Sequence, residues 1–227
     1  MKPAYGLLVF DLDGTLIDST QDLAQSVNAA RADAGLPPLP TAVVASYVGN
    51  GADMLIRRAL GPDASDGEVD RGLAFFLRYY REHMLDHTVL YEGVREALAA
   101  WRAAGLAMAV LTNKPERFSR DLVAGLGLGE WFARVYGGNS FQTKKPDPHG
   151  LRLIMRELGF GPARTLMIGD SSVDVLTARN AGTDCAGVSY GLRPQDFKQH
   201  PPDFLVDDMR ELASVVAAIG RLDPVPT

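Results

Sequence analysis

One cysteine, Cys185, stands alone in 227 residues, so no internal disulfide can form. It sits beside Ala186 and Val188, where a small core residue is expected. No apolar run is long enough to span a bilayer. The opening MKPAYGLLVFDLDGT is broken at once by aspartates and lacks the small-residue cleavage site of a signal peptide. Clustered basic residues are missing too: 23 Lys and Arg against 28 Asp and Glu leave a net charge of -5, which speaks against a nucleic-acid partner. Internal repeats and low-complexity segments are absent. These absences leave a soluble, cytoplasmic protein with no membrane or nucleic-acid partner as the expectation, monomeric or homodimeric. The length suits one large domain, or a core domain carrying an insertion.

What is present is an alternation of strands and helices. Residues 5–10 form a short, nearly continuous apolar run, the mark of a strand buried on both faces. Similar runs lie at 107–111, 165–168 and 186–189, with weaker ones near Val135 and at 204–206. Helical patterns at 94–104, 116–126, 148–158, 173–181 and 209–219 fall between or after them, each closing on a glycine. This rhythm predicts an α/β fold with a parallel sheet covered by helices. Residues 19–90 break it. They contain no convincing strand, while Leu23, Val27 and Ala30, and then Val69, Leu73, Phe76, Leu77 and Tyr80, recur at helical spacing. An all-helical insertion is predicted there, over a core of 1–18 and 91–227. The tail at 223–227, with two prolines, is expected to fray.

In an open parallel sheet, ligands bind beyond the carboxyl ends of the strands. Polar groups gather at three such ends: Asp11, Asp13 and Gly14-Thr15; Thr112-Asn113; and Asp170 with Asp174. Alone, Asp11 and Asp13 could be turn-forming aspartates. Alternation places them on one side, and several carboxylates in one crevice repel unless a cation sits among them. Hard oxygen ligands suit Mg2+. A lysine beside these acids can neutralise phosphoryl oxygens, to which Thr112 can donate, but chemistry alone does not choose between Lys144 and Lys145.

Together the runs FDLDGTLIDS at 10–19, LTNK at 111–114, KKPDP at 144–148 and IGDSSVDV at 168–175 resemble the signature of the haloacid dehalogenase superfamily. The resemblance, which covers nearly the whole chain, implies a Rossmann-like parallel-sheet core with an inserted all-helical cap. It implies Asp11 as nucleophile, Asp13 as general acid/base, and Thr112, Asn113 and Lys145 as holders of the phosphoryl group. Mg2+ would be bound by Asp11, the Asp13 carbonyl and Asp170, with Asp174 supporting through water. The substrate implied is a small-molecule phosphate ester.

Within that superfamily, Asp13 argues against dehalogenation. No lysine falls in 19–90, which excludes a Schiff-base hydrolase of the phosphonoacetaldehyde type. The cap run from Tyr47 to Asp53 and the stretch from Gly137 into Lys144-Lys145-Pro146 resemble bacterial phosphoglycolate phosphatases. In that reading Asn50 and Gly51 contact substrate, although Gly49-Asn50-Gly51 can equally be a plain turn. Arg57 and Arg58 read either as partners for a substrate carboxylate or as solvated helix-surface arginines. Glu92 precedes Gly93 where such phosphatases commonly have proline, and Tyr190 to Gln199 carries no substrate signature. A phosphatase for an amino-sugar phosphate such as N-acetylmuramic acid 6-phosphate, a sugar phosphomutase, and a non-enzymatic binding protein are the alternatives.

Overall fold

A computed structural model describes residues 5–218. The tail at 223–227, and Ile219 with Gly220 at the end of the last predicted helix, lie outside the described residues. Strand β1 (Leu7–Phe10) is buried at every position, as its unbroken apolar run requires. It pairs in parallel with β4 (Ala107–Leu111) on one side and β6 (Thr165–Gly169) on the other, so that Leu8 faces Met108 and Leu166. With β5 (Arg134–Tyr136), β7 (Asp184–Val188) and β8 (Phe204–Val206), the described residues make a six-stranded parallel sheet in the order β5-β4-β1-β6-β7-β8. The chain runs outward from β1 to one edge, then returns to the centre and runs to the other. That reversal opens a crevice beyond the end of β1, where Asp11 follows.

Alternation along β1 sends Leu8 and Phe10 to one face and Leu7 and Val9 to the other, into two separate apolar clusters. Val94, Leu98 and Trp101 of α5 (Val94–Ala103) and Phe118 and Leu122 of α6 (Glu116–Gly125) pack in the first cluster. Leu151 and Ile154 of α7 (His149–Leu158) and Val175 and Ala178 of α8 (Ser172–Ala181) pack in the second. Burying each such leucine or isoleucine is worth roughly 1.5–3 kcal/mol. The last predicted helix is divided, a 3-10 turn at Met209–Glu211 running into α9 (Leu212–Ala218).

Helices α1 (Thr20–Asp33), α2 (Thr41–Tyr47), α3 (Ala52–Leu60) and α4 (Asp66–His83) form the helical cap inserted after β2 (Ile17–Asp18). Val69, Phe76 and Tyr80 are buried along one stripe of α4, and Leu23, Val27 and Ala30 along one of α1, as their spacing predicts. One expectation is corrected. Val89–Leu90 is a strand, β3, inside the segment read as strandless; it pairs antiparallel with β2, Ile17 opposite Leu90 and Asp18 opposite Val89. Two residues carry no alternation to detect, and only their distant partner makes them a strand.

Candidate active site

Asp11 leaves β1 with its amide donating to the Ile168 carbonyl at 2.9 Å, which fixes its place between β1 and β6. Gly14 then turns with φ +82, and a Cβ there would stand 2.3 Å from Asp170 Oδ2, so only glycine fits. Asp170 follows β6 and is buried; its Oδ2 accepts from the backbone amides of Leu192 at 2.7 Å and Arg193 at 3.3 Å. Asp174, in the first turn of α8 and fully buried, accepts at Oδ2 from Ser171 N at 3.2 Å and Ser171 Oγ at 2.7 Å. Carboxylate oxygens of Asp11, Asp170 and Asp174 lie within 4.8 Å of one another.

Lys145 answers the question its neighbour left open. It is buried, its Nζ 2.9 Å from Asp11 Oδ1 and 2.6 Å from Asp174 Oδ1, whereas Lys144 is exposed. The Asp13 carboxylate stands outside the acidic trio: Lys114 Nζ donates to both its oxygens at 3.0 Å, and Ser19 Oγ donates at 2.6 Å. The Lys114 ammonium also lies 4.6 Å from the ring centre of Tyr80, a cap residue, within cation–π range. Thr112 is buried and lines the cavity, its hydroxyl accepting from the Lys114 amide at 3.3 Å. The Asn113 amide is committed otherwise, donating to Gly49 O at 2.9 Å and Lys145 O at 3.0 Å. It ties the cap loop to the lysine loop.

Above these polar groups, Leu23, Val48, Leu55, Phe76 and Tyr80 of the cap close a cavity of about 50 Å3. Gly49 and Gly51 line it as well; Asn50 does not. Gly51 takes φ +92, and a Cβ there would come within 3.3 Å of the Asn113 carbonyl. Arg57 and Arg58 point to other partners: Arg57 Nη2 pairs with Asp66 at 2.9 Å on the surface, and Arg58 Nη1 donates to Tyr47 O at 3.0 Å.

The family model for haloacid dehalogenase-like hydrolases matches residues 8–188, a span that holds every acid and lysine of this site. The chain belongs to that family. Its relatives include a phosphoglycolate phosphatase of Pseudomonas putida, 42% identical over 215 residues, which cover 91% of this chain and 78% of the relative. Another, from Vibrio vulnificus, is 40% identical over 92% of this chain and 95% of its own. Among solved structures, one described as a predicted phosphoglycolate phosphatase from Haemophilus somnus superposes with a TM-score of 0.88 at 33% identity, covering 93% of this chain and 97% of its own. The resemblance drawn from the four motifs is borne out, and so is the fold it implies.

In this hydrolase the electrostatics show what the site still needs. Burial pushes the Asp11 carboxyl up to about 6, against the pull of Lys145 and with a further push from Asp174. Burial, with Asp174 and Asp11 beside it, drives Asp170 well above the ordinary carboxylate range. Lys145 resists the downward pull of burial because Asp11 and Asp174 hold its proton. One lysine, shared between Asp11 and Asp174, leaves excess negative charge among three buried acids. A hard cation fits this oxygen set. Among the described residues, no helix is long and apolar enough to cross a membrane.

Sequence reasoning missed three contributors. Lys114 was visible inside LTNK, yet nothing local tells that it reaches Asp13, 101 residues away. Ser19 ends the first motif, and its link to Asp13 needs the turn between them. The 191–193 segment had no motif at all, but its amides hold Asp170.

Proposed function

We propose that this hydrolase is a Mg2+-dependent cytoplasmic phosphatase acting on 2-phosphoglycolate, with residues 19–90 as a cap over a core of 1–18 and 91–227. The observation that carries the reading is the placement of Asp11 under a small capped cavity, with Lys145 at its oxygen and Asp13 lining the same space. The names of the relatives support the choice of substrate.

An Asp11 carboxylate oxygen attacks phosphorus, the ester oxygen leaves, and Asp13 gives it a proton. Water then attacks the aspartyl-phosphate after losing its proton to Asp13, releasing phosphate and restoring Asp11. Lys114 and Ser19 hold the Asp13 carboxyl in place for both transfers. Thr112 donates its hydroxyl to the phosphoryl oxygens, Asn113 steadies the surrounding loops, and Lys145 offsets their charge. Asp11, Asp170 and the Asp13 carbonyl would hold Mg2+, Asp174 supporting them; when bound, the ion supplies charge neutralisation at the transferring group. The apolar cap roof keeps bulk water out.

The test is Mg2+-dependent phosphate release from 2-phosphoglycolate against a panel of sugar and amino-sugar phosphates, with Asp11→Asn as control. Fast release selective for phosphoglycolate and abolished by the substitution is expected. Release from the other esters alone would keep the mechanism and remove the substrate. A requirement for a sugar bisphosphate with little phosphate released would indicate a mutase, and inertness toward every ester would leave the binding-protein alternative.

A further inference from the structure

A substrate with a carboxylate opposite its phosphate needs a cation for that second charge. Two residues that carry a cationic side chain line the cavity, Lys114 and Arg193. Lys114 is engaged at the reacting end, both oxygens of Asp13 accepting from it, whereas Arg193 pairs with Asp196 through Nη2 and keeps other donors. The cap arginines Arg57 and Arg58 do not reach the cavity.

Arg193 sits on the loop after β7, in the stretch that carried no sequence signature. Its backbone amide and that of Leu192 donate to Asp170 Oδ2, which fixes the loop against the acidic trio. Its Nη1 lies 3.5 Å from the Val48 carbonyl of the cap loop. Its Nη2 pairs with Asp196 at 3.1 Å, and Asp196 accepts from Ser172 Oγ at 2.9 Å, so one edge of the guanidinium is anchored. The Nε–H is buried and has no acceptor. Buried donors are nearly always paired, so the Arg193 side chain still has a hydrogen bond to give, and a small shift of the guanidinium would bring it to a ligand in the cavity that Arg193 lines. A planar guanidinium matches a carboxylate in both charge and shape.

We infer that Arg193 is the specificity-determining residue of this hydrolase, receiving the carboxylate at the non-reacting end of the ester. The inference rests on the phosphoglycolate reading and adds the residue that selects for it. The loop supplies the charge from the core side, and the contact with Val48 places that charge where the cap closes over it.

The experiment compares kcat/KM for 2-phosphoglycolate and for 2-hydroxyethyl phosphate, an ester of equal length with a neutral end. Wild type, Arg193→Gln and Arg193→Lys are each assayed with saturating Mg2+. The selectivity ratio is expected to fall roughly 10- to 100-fold in Arg193→Gln, mainly through KM for phosphoglycolate, with partial recovery in Arg193→Lys. Equal loss on both esters would reduce Arg193 to a brace for the cap loop and overturn the inference. A wild-type preference that survives Arg193→Gln would overturn it while keeping the substrate. A wild type without preference for phosphoglycolate would overturn both.

Discussion

At the scale of single residues, the site carries charge it cannot balance by itself. Asp170 illustrates this. Burial and its neighbours Asp174 and Asp11 raise its carboxyl, so the folded protein binds that proton more tightly than the unfolded chain does. The resulting cost to stability is absent below the unfolded value of about 3.9 and grows as pH rises toward the folded one. Near pH 7.5 the cation-free protein bears it. Asp170→Asn keeps an oxygen for the Leu192 and Arg193 amides and removes the charge. It is expected to raise the thermal midpoint of the EDTA-treated protein by about 2–4 °C for each 1 kcal/mol relieved. Wild type should gain about 2.7 kcal/mol from Mg2+ at a hundredfold excess over Kd, and the variant should gain nothing. A variant whose midpoint still climbs with Mg2+ would remove Asp170 from the metal site.

At the scale of elements, helix α4 has a local cause for its start. Helix α4 begins with a reciprocal cap: Ser65 Oγ accepts from the Glu68 amide at 3.3 Å, and the Ser65 amide donates to Glu68 Oε2 at 2.8 Å. This stops the helix from fraying at the end far from the cavity, while Phe76 and Tyr80 further along form part of its roof. Ser65→Ala is expected to cost about 1 kcal/mol in urea unfolding and to leave the substrate preference unchanged. A loss beyond about 2 kcal/mol would mean that Ser65 does more than cap. The pattern of α4 was legible because its buried positions recur every three or four residues. Strand β3 was not, because two residues have no period.

For the molecule as a whole, the question is how the cap is joined to the core. The chain leaves through β2 and returns through β3, and Asp22 binds the return to the departure. Its carboxylate is fully buried and accepts from the His87 amide at 3.0 Å, from the Thr88 amide and hydroxyl at 2.8 Å each, and stands 2.9 Å from His87 Nδ1. Burial would raise Asp22, but these donors prevail and hold it below the ordinary value. A lowered carboxyl contributes stability above its unfolded pKa of about 3.9, and that contribution is lost as pH falls through the folded value below it. Asp22→Asn should therefore destabilise by about 1–3 kcal/mol at pH 7, read from urea midpoints, and the gap to wild type should close in acid. A gap independent of pH would show that shape, not charge, is what the hinge requires.

By itself the sequence determined the alternation of buried strands and helices, the helical character of the insertion, and the acids and lysines at the strand ends. These are local or periodic properties, carried by neighbours in the chain. Tertiary structure decided the rest. Lys145 rather than Lys144 is buried because Asp174 waits for it 29 residues further on. Asn113 spends its amide on the cap loop, Lys114 reaches Asp13, and Arg193 comes to the cavity because its amide holds Asp170. In every case the deciding partner is far away in sequence: the parallel sheet gathers its strand ends for the lysine and Arg193 contacts, and the seat of the cap on the core does the same for Asn113 and Gly49.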